Sequence, residues 1–285
     1  MNNTTPKDSI NIMFCGNAGI FDGMLTCALS IYKRMTAVEP IHFYLLTMDV
    51  SHIKDNYTPI TESQVDFFRK VIKGYHAQSE VTCIDVGELY REELAGCPNE
   101  QAYCSPYTLI RLLADRVHCL PDKVLYLDID IMFNRDIRLL YDIDVEGYEY
   151  AAARDHYGKY LIKPNYINAG VLLWNLKKMK ETGIFVRSRE LLRQKKLVFA
   201  DQSALLRSTT KRRMLPQKFN DQKFLHKHTV VRHFSKRMFW LPYPHTENIK
   251  QWHVERVRKV FGYRVFDDIF NEYLSLIEQY RRENA

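Results

Sequence analysis

The sequence predicts an α/β fold built on a mainly parallel sheet with helices on both faces. Short apolar segments have the length and composition of buried strands, at residues 10–15, 41–46, 81–86 and 123–127. Apolar residues at helical spacing, as from Phe21 to Met35, fill the intervals between them. Because strand and helix alternate four times in about 130 residues, we expect these strands to pair in parallel.

Local signals mark where helices of the first half begin. Thr61 and Gln64 have the spacing of a capping box ahead of an amphipathic segment. Ser105 and Pro106 supply a cap residue followed by a first-turn proline, which predicts a helix before the fourth strand. Both helices would pack against the predicted sheet.

After residue 130 the pattern changes from regular alternation to mixed elements. We expect strands at 149–153, 165–176 and 229–234, a basic amphipathic helix at 177–196, a short helix from Asp201 to Leu206 and a helical tail at 253–282. We predict one main domain over 1–252 and a helical extension over 253–285.

Composition narrows the cellular setting and the partners. The 285 residues contain no run of eighteen apolar residues, and residues 1–8 are too polar for a signal peptide, so we expect a cytoplasmic protein. Its six cysteines lack metal-ligand spacing and are expected to be free thiols. The net charge of +7 suits an anionic membrane, a phosphorylated substrate or nucleic acid. Without a recognition motif or aromatic interleaving, we expect no nucleic-acid binding.

The segment that ends in Asp128 and Asp130 is the strongest candidate for a functional site. Residues i and i+2 of an extended chain share a face, so both carboxylates would lie together where a strand ends. Ligands bind at that edge of an open α/β sheet, where the turn at 16–19 should also lie. Two close carboxylates favour Mg²⁺ or Mn²⁺. A second Asp-Ile-Asp, Asp142 to Asp144, lacks the apolar lead and is interpreted as turn chemistry.

Four blocks stand in order along the chain. They are the D-x-D run at 123–137, Tyr-Ile-Asn-Ala-Gly and its continuation at 166–176, Phe-Ala-Asp-Gln at 199–205, and His233-Phe234 with Lys-Gln-Trp at 250–252. Together they resemble the family 8 glycosyltransferases, the group of lipopolysaccharide galactosyltransferases and glycogenins. The resemblance implies a GT-A fold. It also implies a retaining transfer of a hexose, galactose or glucose, from a UDP-sugar to a glycan or lipid-linked acceptor.

The resemblance also implies roles for individual residues. Asp128, Asp130 and His233 would hold Mn²⁺ or Mg²⁺, and Lys250 would face the diphosphate. Other donor contacts would come from Cys15, Gly16, Asn17, Arg111, Ile129, Asn168 and Ala169. The catalytic group would be Asp155, Asp201 and Gln202, with Gln202 near the anomeric carbon. Because an amide is a poor nucleophile, we favour same-face attack by the acceptor. The family has Asp where this chain has Asn17, although an amide can still pair with a base edge.

Each of these residues also has a structural interpretation. Asn168 with Gly170 could form a β-bulge, Asp201 could be only a helix cap, and His233 could be a core residue. Arg111 could pair with Asp115 one helical turn away. Lys236 or Arg237 could replace Lys250 at the diphosphate.

Two other functions stay open from the residues alone. A phosphotransferase of the haloacid dehalogenase type would use Asp128 as its nucleophile. A non-catalytic nucleotide-sugar-binding protein would keep the site without turnover. The basic C-terminal region would rest on anionic headgroups at the inner face of the cell membrane, through residues Arg256, Arg258, Lys259, Tyr263 and Arg264.

Overall fold

The computed structural model describes residues 9–101 and 105–284. Its strands are β1 (Ile10–Cys15), β2 (Ile41–Thr47), β3 (Glu80–Asp85), β4 (Lys123–Leu127), β5 (Ile131–Phe133), β6 (Tyr150–Arg154), β7 (Ile167–Asn175), β8 (Arg212–Leu215), β9 (Val231–His233), β10 (Arg237–Phe239) and β11 (His245–Glu247). Its α-helices are α1 (Phe21–Arg34), α2 (Glu62–Tyr75), α3 (Gly87–Glu93), α4 (Arg138–Tyr141), α5 (Gly158–Leu161), α6 (Leu176–Thr182), α7 (Ile184–Gln194), α8 (Ala200–Ser208), α9 (Val254–Arg256) and α10 (Asp267–Glu283).

Seven strands form the central sheet in the order β3-β2-β1-β4-β7-β6-β8. The predicted mainly parallel sheet is confirmed: β7 is the strand of this sheet that runs against its neighbours, antiparallel to both β4 and β6. Leu127 pairs with Val171, and the Asp128 amide donates to the Gly170 carbonyl at 2.8 Å. Because β7 is reversed, its first residues lie beside the carboxyl end of β4.

The predicted strand at 229–234 forms as β9, but outside the central sheet. It pairs antiparallel with β5, with Ile131 opposite His233. The Phe234 amide donates to the Asp130 carbonyl at 2.7 Å. This small sheet carries a residue from late in the chain to the end of β4.

Several helices differ from their predictions. The capping box at Thr61 is present, whereas Ser105 makes no side-chain cap bond and leads into two 3₁₀ turns, Pro106–Thr108 and Ile110–Arg116. The predicted helix at 177–196 is broken at Gly183, whose φ of 66° places it in the left-handed region and separates α6 from α7. Asp201 lies inside α8, after its N-cap position at Phe199, so the cap prediction is wrong.

The C-terminal segment is helical but interrupted. A π-turn at Val257–Phe261 and Gly262, with φ 67°, separate α9 from α10. Helix α10 packs on α1: the Tyr273 hydroxyl donates to Asp22, and Arg34 pairs with Asp268 at 2.8 Å. The division of the chain at residue 252 stays a prediction. Across the described ranges, no helix is long and apolar enough to cross a membrane.

The core occupies both faces of the sheet, because strand residues alternate between them. Leu125 and Leu127 of β4 join the cluster under α1, α2 and α10, whereas Val124 and Tyr126 join the cluster on the opposite face. The cysteines within the described residues, 15, 27, 83, 97 and 119, are free thiols; Cys104 lies outside them. Apolar side chains thus pack against both faces of the sheet, and β4 lies between the two core clusters.

Candidate active site

The predicted triad comes together where β4 ends. Asp128, Asp130 and His233 each offer a ligand atom, and these atoms lie within 4.8 Å of one another. The Nε2 atom of His233 is 3.0 Å from Asp130 Oδ1. Asp130 and His233 are buried, and Asp128 is half-buried. His233 is therefore not an ordinary core histidine, since its ring faces a carboxylate across the site.

The residues fit a divalent cation. Two carboxylates and an imidazole are a donor set that suits Mn²⁺ and other first-row metals. Gly170 keeps the space between them open: a Cβ there would lie 2.5 Å from His233 Cε1 and 2.7 Å from Asp128 Oδ2. Any other residue at this position would push the ligand groups apart.

Lys250 lies directly at this cluster. Its Nζ donates to Asp130 Oδ2 and, at 3.2 Å, to the Phe234 carbonyl. Burial alone would raise the pKa of Asp130, but the charges of Lys250 and His233 outweigh it and hold that pKa well below its usual range. Asp130 is thus an ionised acceptor. Arg237 lies elsewhere, with its guanidinium over the Phe239 ring.

Arg111 ties the end of β4 to α8. Its guanidinium is buried, with Nη2 3.1 Å from Asp128 Oδ1 and Nε 3.2 Å from Asp201 Oδ2. Nη1 donates to the Ala169 carbonyl at 2.8 Å, and the Tyr126 hydroxyl donates to Asp128 Oδ1 at 2.7 Å. Burial raises the pKa of Asp201, and Arg111 only partly offsets this effect. Because Arg111 and Tyr126 both donate to Asp128 Oδ1, the Asp128 carboxylate is held in one orientation.

The alternative pairing of Arg111 with Asp115 is wrong. Asp115 instead accepts from Arg189, at 2.6 Å. The 3₁₀ geometry of this segment accounts for the difference, because it turns side chains four residues apart away from each other. Arg111 is left to face the site.

A chain of polar groups runs from Asp155 to His233. The side-chain Nδ2 of Asn168 donates to Asp155 Oδ2 at 2.9 Å. Its Oδ1 accepts from the backbone N–H of Gly170 at 3.0 Å and from Asn220 Nδ2 at 2.8 Å. Asn220 Oδ1 lies 3.0 Å from His233 Nδ1. An ionised carboxylate can only accept, so each amide in the chain is oriented by the one before it.

This orientation decides the histidine tautomer. Since Asn220 presents its oxygen, His233 Nδ1 carries a proton, and Nε2 is the nitrogen that faces Asp130 and would bind a cation there. Sequence reasoning missed Asn220. It follows a short 3₁₀ turn in a polar run that looks like an ordinary loop, and only its complete burial distinguishes it.

The other predicted residues lie on two sides of this cluster. Gln202 Oε1 accepts from the Ala169 amide at 2.9 Å, which places the amide group beside the start of β7. Cys15, Gly16, Asn17 and Ile129 line a pocket with Asp128, Asp130, Arg111 and Lys250. The predicted meeting of the Gly16 turn with the D-x-D residues therefore occurs. Burial raises the pKa of Cys15 to about 12, so its thiol is neutral.

Asn17 is already partly engaged in this pocket. Its Oδ1 accepts from the Gly19 amide at 3.1 Å, and its Nδ2 donates to the Asn56 carbonyl at 3.1 Å. One lone pair and one N–H remain for a ligand. The carboxylates of the second Asp-Ile-Asp copy make local contacts, as predicted. Asp142 pairs with Arg138, and Asp144 accepts from the backbone N–H of Glu146.

Comparison with known proteins gives matches over most of the chain. The model of glycosyl transferase family 8 matches residues 11–237. A putative glycosyltransferase of Haemophilus influenzae is 28% identical over 192 residues, 64% of this chain and 53% of that protein. Glycosyltransferase GlyF of Streptococcus pneumoniae serotype 4 is 37% identical over 86 residues, 30% of this chain and 21% of that protein. The chain thus spans at most about half of the length of these curated relatives.

Solved structures share the fold. Galactosyltransferase LgtC, solved with donor and acceptor sugar analogues, aligns with a TM-score of 0.67 and 22% identity, covering 95% of this chain and 96% of that chain. Glycosyltransferase GlyE of Streptococcus pneumoniae TIGR4 aligns with a TM-score of 0.58 and 20% identity, covering 94% and 64%. At these identities the likeness is one of fold, and it confirms the predicted GT-A architecture.

Proposed function

Since the chain belongs to glycosyl transferase family 8, we propose that it transfers a hexose, galactose or glucose, from a UDP-sugar to a saccharide acceptor with retention of configuration, in a reaction that needs a divalent cation. The observation that carries this proposal is the cluster of Asp128, Asp130 and His233 on the wall of a pocket that also holds Lys250. A cation site next to a lysine is suited to bind a diphosphate.

The donor would lie across the end of β4. Its nucleoside would face Cys15, Gly16 and Asn17, and its diphosphate would lie against the cation. The pocket on this side has a volume of about 270 Å³, slightly below the roughly 300–1,000 Å³ of sites that enclose a whole ligand of drug size. We therefore place the hexose beyond it, towards Asn168 and Gln202.

A bound Mn²⁺ or Mg²⁺ would act as a Lewis acid on the departing UDP. Lys250 would move from Asp130 to the diphosphate and add a point charge there. Arg111 would hold Asp128 and Asp201 in place while positive charge develops at the anomeric carbon. Gln202, a poor nucleophile, would position the sugar while the acceptor hydroxyl attacks from the face that UDP leaves.

The residues weigh against the phosphotransferase alternative. The family match points to sugar transfer, and the bonds from Tyr126 and Arg111 to Asp128 Oδ1 leave only Oδ2 for an attack on phosphorus. The acceptor would be a free or lipid-linked glycan. Contact with the inner face of a membrane is part of this proposal.

The test screens UDP-sugars by thermal shift with and without Mn²⁺, followed by turnover of the best donor. A true donor at about 100 times its Kd should stabilise the protein by ~2.7 kcal/mol, and only with the cation. Asp130→Asn should abolish the effect. Asp144→Asn, in the second Asp-Ile-Asp copy, is the matched control and should behave as wild type.

Two outcomes would contradict parts of the proposal. Tight binding of UDP without turnover of any donor would indicate the non-catalytic nucleotide-sugar-binding protein. A sugar trapped covalently on Asp201 or Gln202 of the native enzyme would overturn the same-face mechanism, although not the transfer reaction itself.

A further inference from the structure

The connection between His233 and Lys250 carries an exposed apolar tip. Trp240, Leu241 and Tyr243, between β10 and β11, are 69%, 83% and 67% exposed. Single apolar residues on a surface are common, but three neighbours in one short connection form a patch. Both ends of this connection contact Asp130, through His233 Nε2 and Lys250 Nζ. The tip therefore belongs to an element anchored at the candidate metal site.

A second exposed group lies against the same hairpin. Tyr160 and Leu161 of α5 are 77% and 80% exposed, and Lys159 precedes them directly. The Met238 amide of β10 donates to the Tyr157 hydroxyl at 3.3 Å, at the start of α5. The hairpin and α5 thus present their apolar side chains from adjoining elements.

Unneutralised positive charge accompanies this surface. Among the described residues, no carboxylate lies within ion-pair distance of Lys223, Lys227 or Arg237. Lys223 and Arg237 line a pocket with Phe239, Phe261 and other residues, none of them acidic. Glu247 lies opposite Arg237 in the hairpin, but its carboxylate is held by Arg256, so an anionic group would meet cations and aromatic rings in this pocket.

The C-terminal arginines differ in this respect. Arg256 pairs with Glu247, and both Arg258 and Arg264 pair with Asp267. Partly neutralised charges attract an anionic surface less strongly. The charge pattern thus favours the hairpin side over these three arginines as the place where an anionic partner docks.

We propose that the hairpin of residues 237–247, with α5, docks on an anionic phospholipid bilayer. Tryptophan and tyrosine prefer the depth of the headgroups, leucine reaches the acyl boundary, and lysine and arginine meet the phosphates. Because the hairpin is anchored at Asp130, docking holds the cleft at the lipid surface. A lipid-linked glycan would then be presented to the site, and this last step rests on the proposed function.

The test measures binding of the full chain to vesicles of phosphatidylcholine, with and without phosphatidylglycerol. The double variant Trp240→Ser/Leu241→Ser should lower the partition coefficient by about tenfold or more. The matched control is Leu139→Ser/Val265→Ser, which changes two exposed apolar residues elsewhere and should bind as wild type. Circular dichroism checks that both variants fold.

The contribution of the lysines and the insertion of Trp240 into the bilayer are measured separately. Lys223→Glu/Lys227→Glu should weaken binding only to vesicles that contain phosphatidylglycerol, whereas Lys259→Glu should have a smaller effect. Trp174 is buried, so in a Trp252→Phe background the fluorescence that shifts to the blue on vesicle binding should come from Trp240.

The proposal is wrong if the wild-type chain ignores anionic vesicles, or if the hairpin variant binds them as well as wild type does. It is also wrong if the hairpin variant keeps vesicle binding but loses transfer to a soluble acceptor, because the tip would then serve the glycan. Donor binding by thermal shift is measured separately, so failure of the proposed function would be distinguishable from failure of docking.

Discussion

The Gly170→Ala substitution tests whether the cluster at the end of β4 is a cation site. The added Cβ would lie 2.5 Å from His233 Cε1, whereas carbon atoms in contact are normally about 3.5–4.0 Å apart. His233, Asp128 or β7 must therefore move by roughly 1 Å. Metal–ligand distances tolerate only about 0.2 Å, so we expect Mn²⁺ affinity to fall about 10–100-fold, or ~1.4–2.8 kcal/mol.

Isothermal titration calorimetry with Mn²⁺ measures this loss, and urea unfolding without metal measures the accompanying strain, expected at ~1–3 kcal/mol. Gly74→Ala is the control. A Cβ there meets nothing within 4 Å, and the residue lies in α2. It should leave Mn²⁺ binding unchanged and stabilise the fold by up to ~1 kcal/mol.

The reasoning would be refuted by a folded Gly170→Ala protein that binds Mn²⁺ within about twofold of wild type. Such a result would mean either that the three side chains do not share a cation or that β7 can yield at no cost. A protein that loses Mn²⁺ binding but keeps its stability would still support a cation site. It would show that the clash is relieved by moving the ligand groups alone.

Substitutions at three further positions test buried polar contacts of the structure. Asn220→Ala removes the acceptor of the His233 Nδ1 proton and should lower Mn²⁺ affinity about tenfold in calorimetry; Asn220→Asp keeps an acceptor and should retain more. Arg111→Lys cannot reach two carboxylates and a carbonyl at once and should cost ~1–3 kcal/mol in urea unfolding. Burial alone would raise the pKa of Glu149, but donors at 209–211 lower it below its ordinary value. Its stabilisation is complete above the unfolded-state pKa of about 4.3 and is lost as the pH falls through the folded-state pKa. Glu149→Gln should therefore cost ~1–3 kcal/mol at pH 7 and less at low pH, in urea unfolding.

Each of these has a contrary result. Equal Mn²⁺ affinity in Asn220→Ala and wild type would mean that the histidine is oriented by its packing alone. A neutral Arg111→Lys would show that the buried pairs contribute little. A Glu149→Gln penalty that stays the same from pH 7 down to a pH below the folded-state pKa of Glu149 would rule out a role for the ionised carboxylate.

Much of the fold was predictable because its signals are local. The apolar segments, the capping box at Thr61 and the spacing of Asp128 and Asp130 depend on neighbours within a few residues. Where a local preference competed with another, prediction was less accurate. The Ser105-Pro106 signal is followed by 3₁₀ turns rather than an α-helix. Gly183 ends α6 within the segment 177–196, for which the pattern predicted one continuous helix.

The sequence by itself determined the α/β class, the family and the residue types of the candidate site, since these follow from periodicity and from motifs in order. Only the tertiary structure decided how the site is assembled. Reversal of β7 sets Gly170 beside Asp128, and the β5–β9 pairing brings His233 to Asp130. Asn220 acquires its role only through burial between Asn168 and His233. Such contacts depend on sheet order and register across long stretches of chain, which no local pattern specifies.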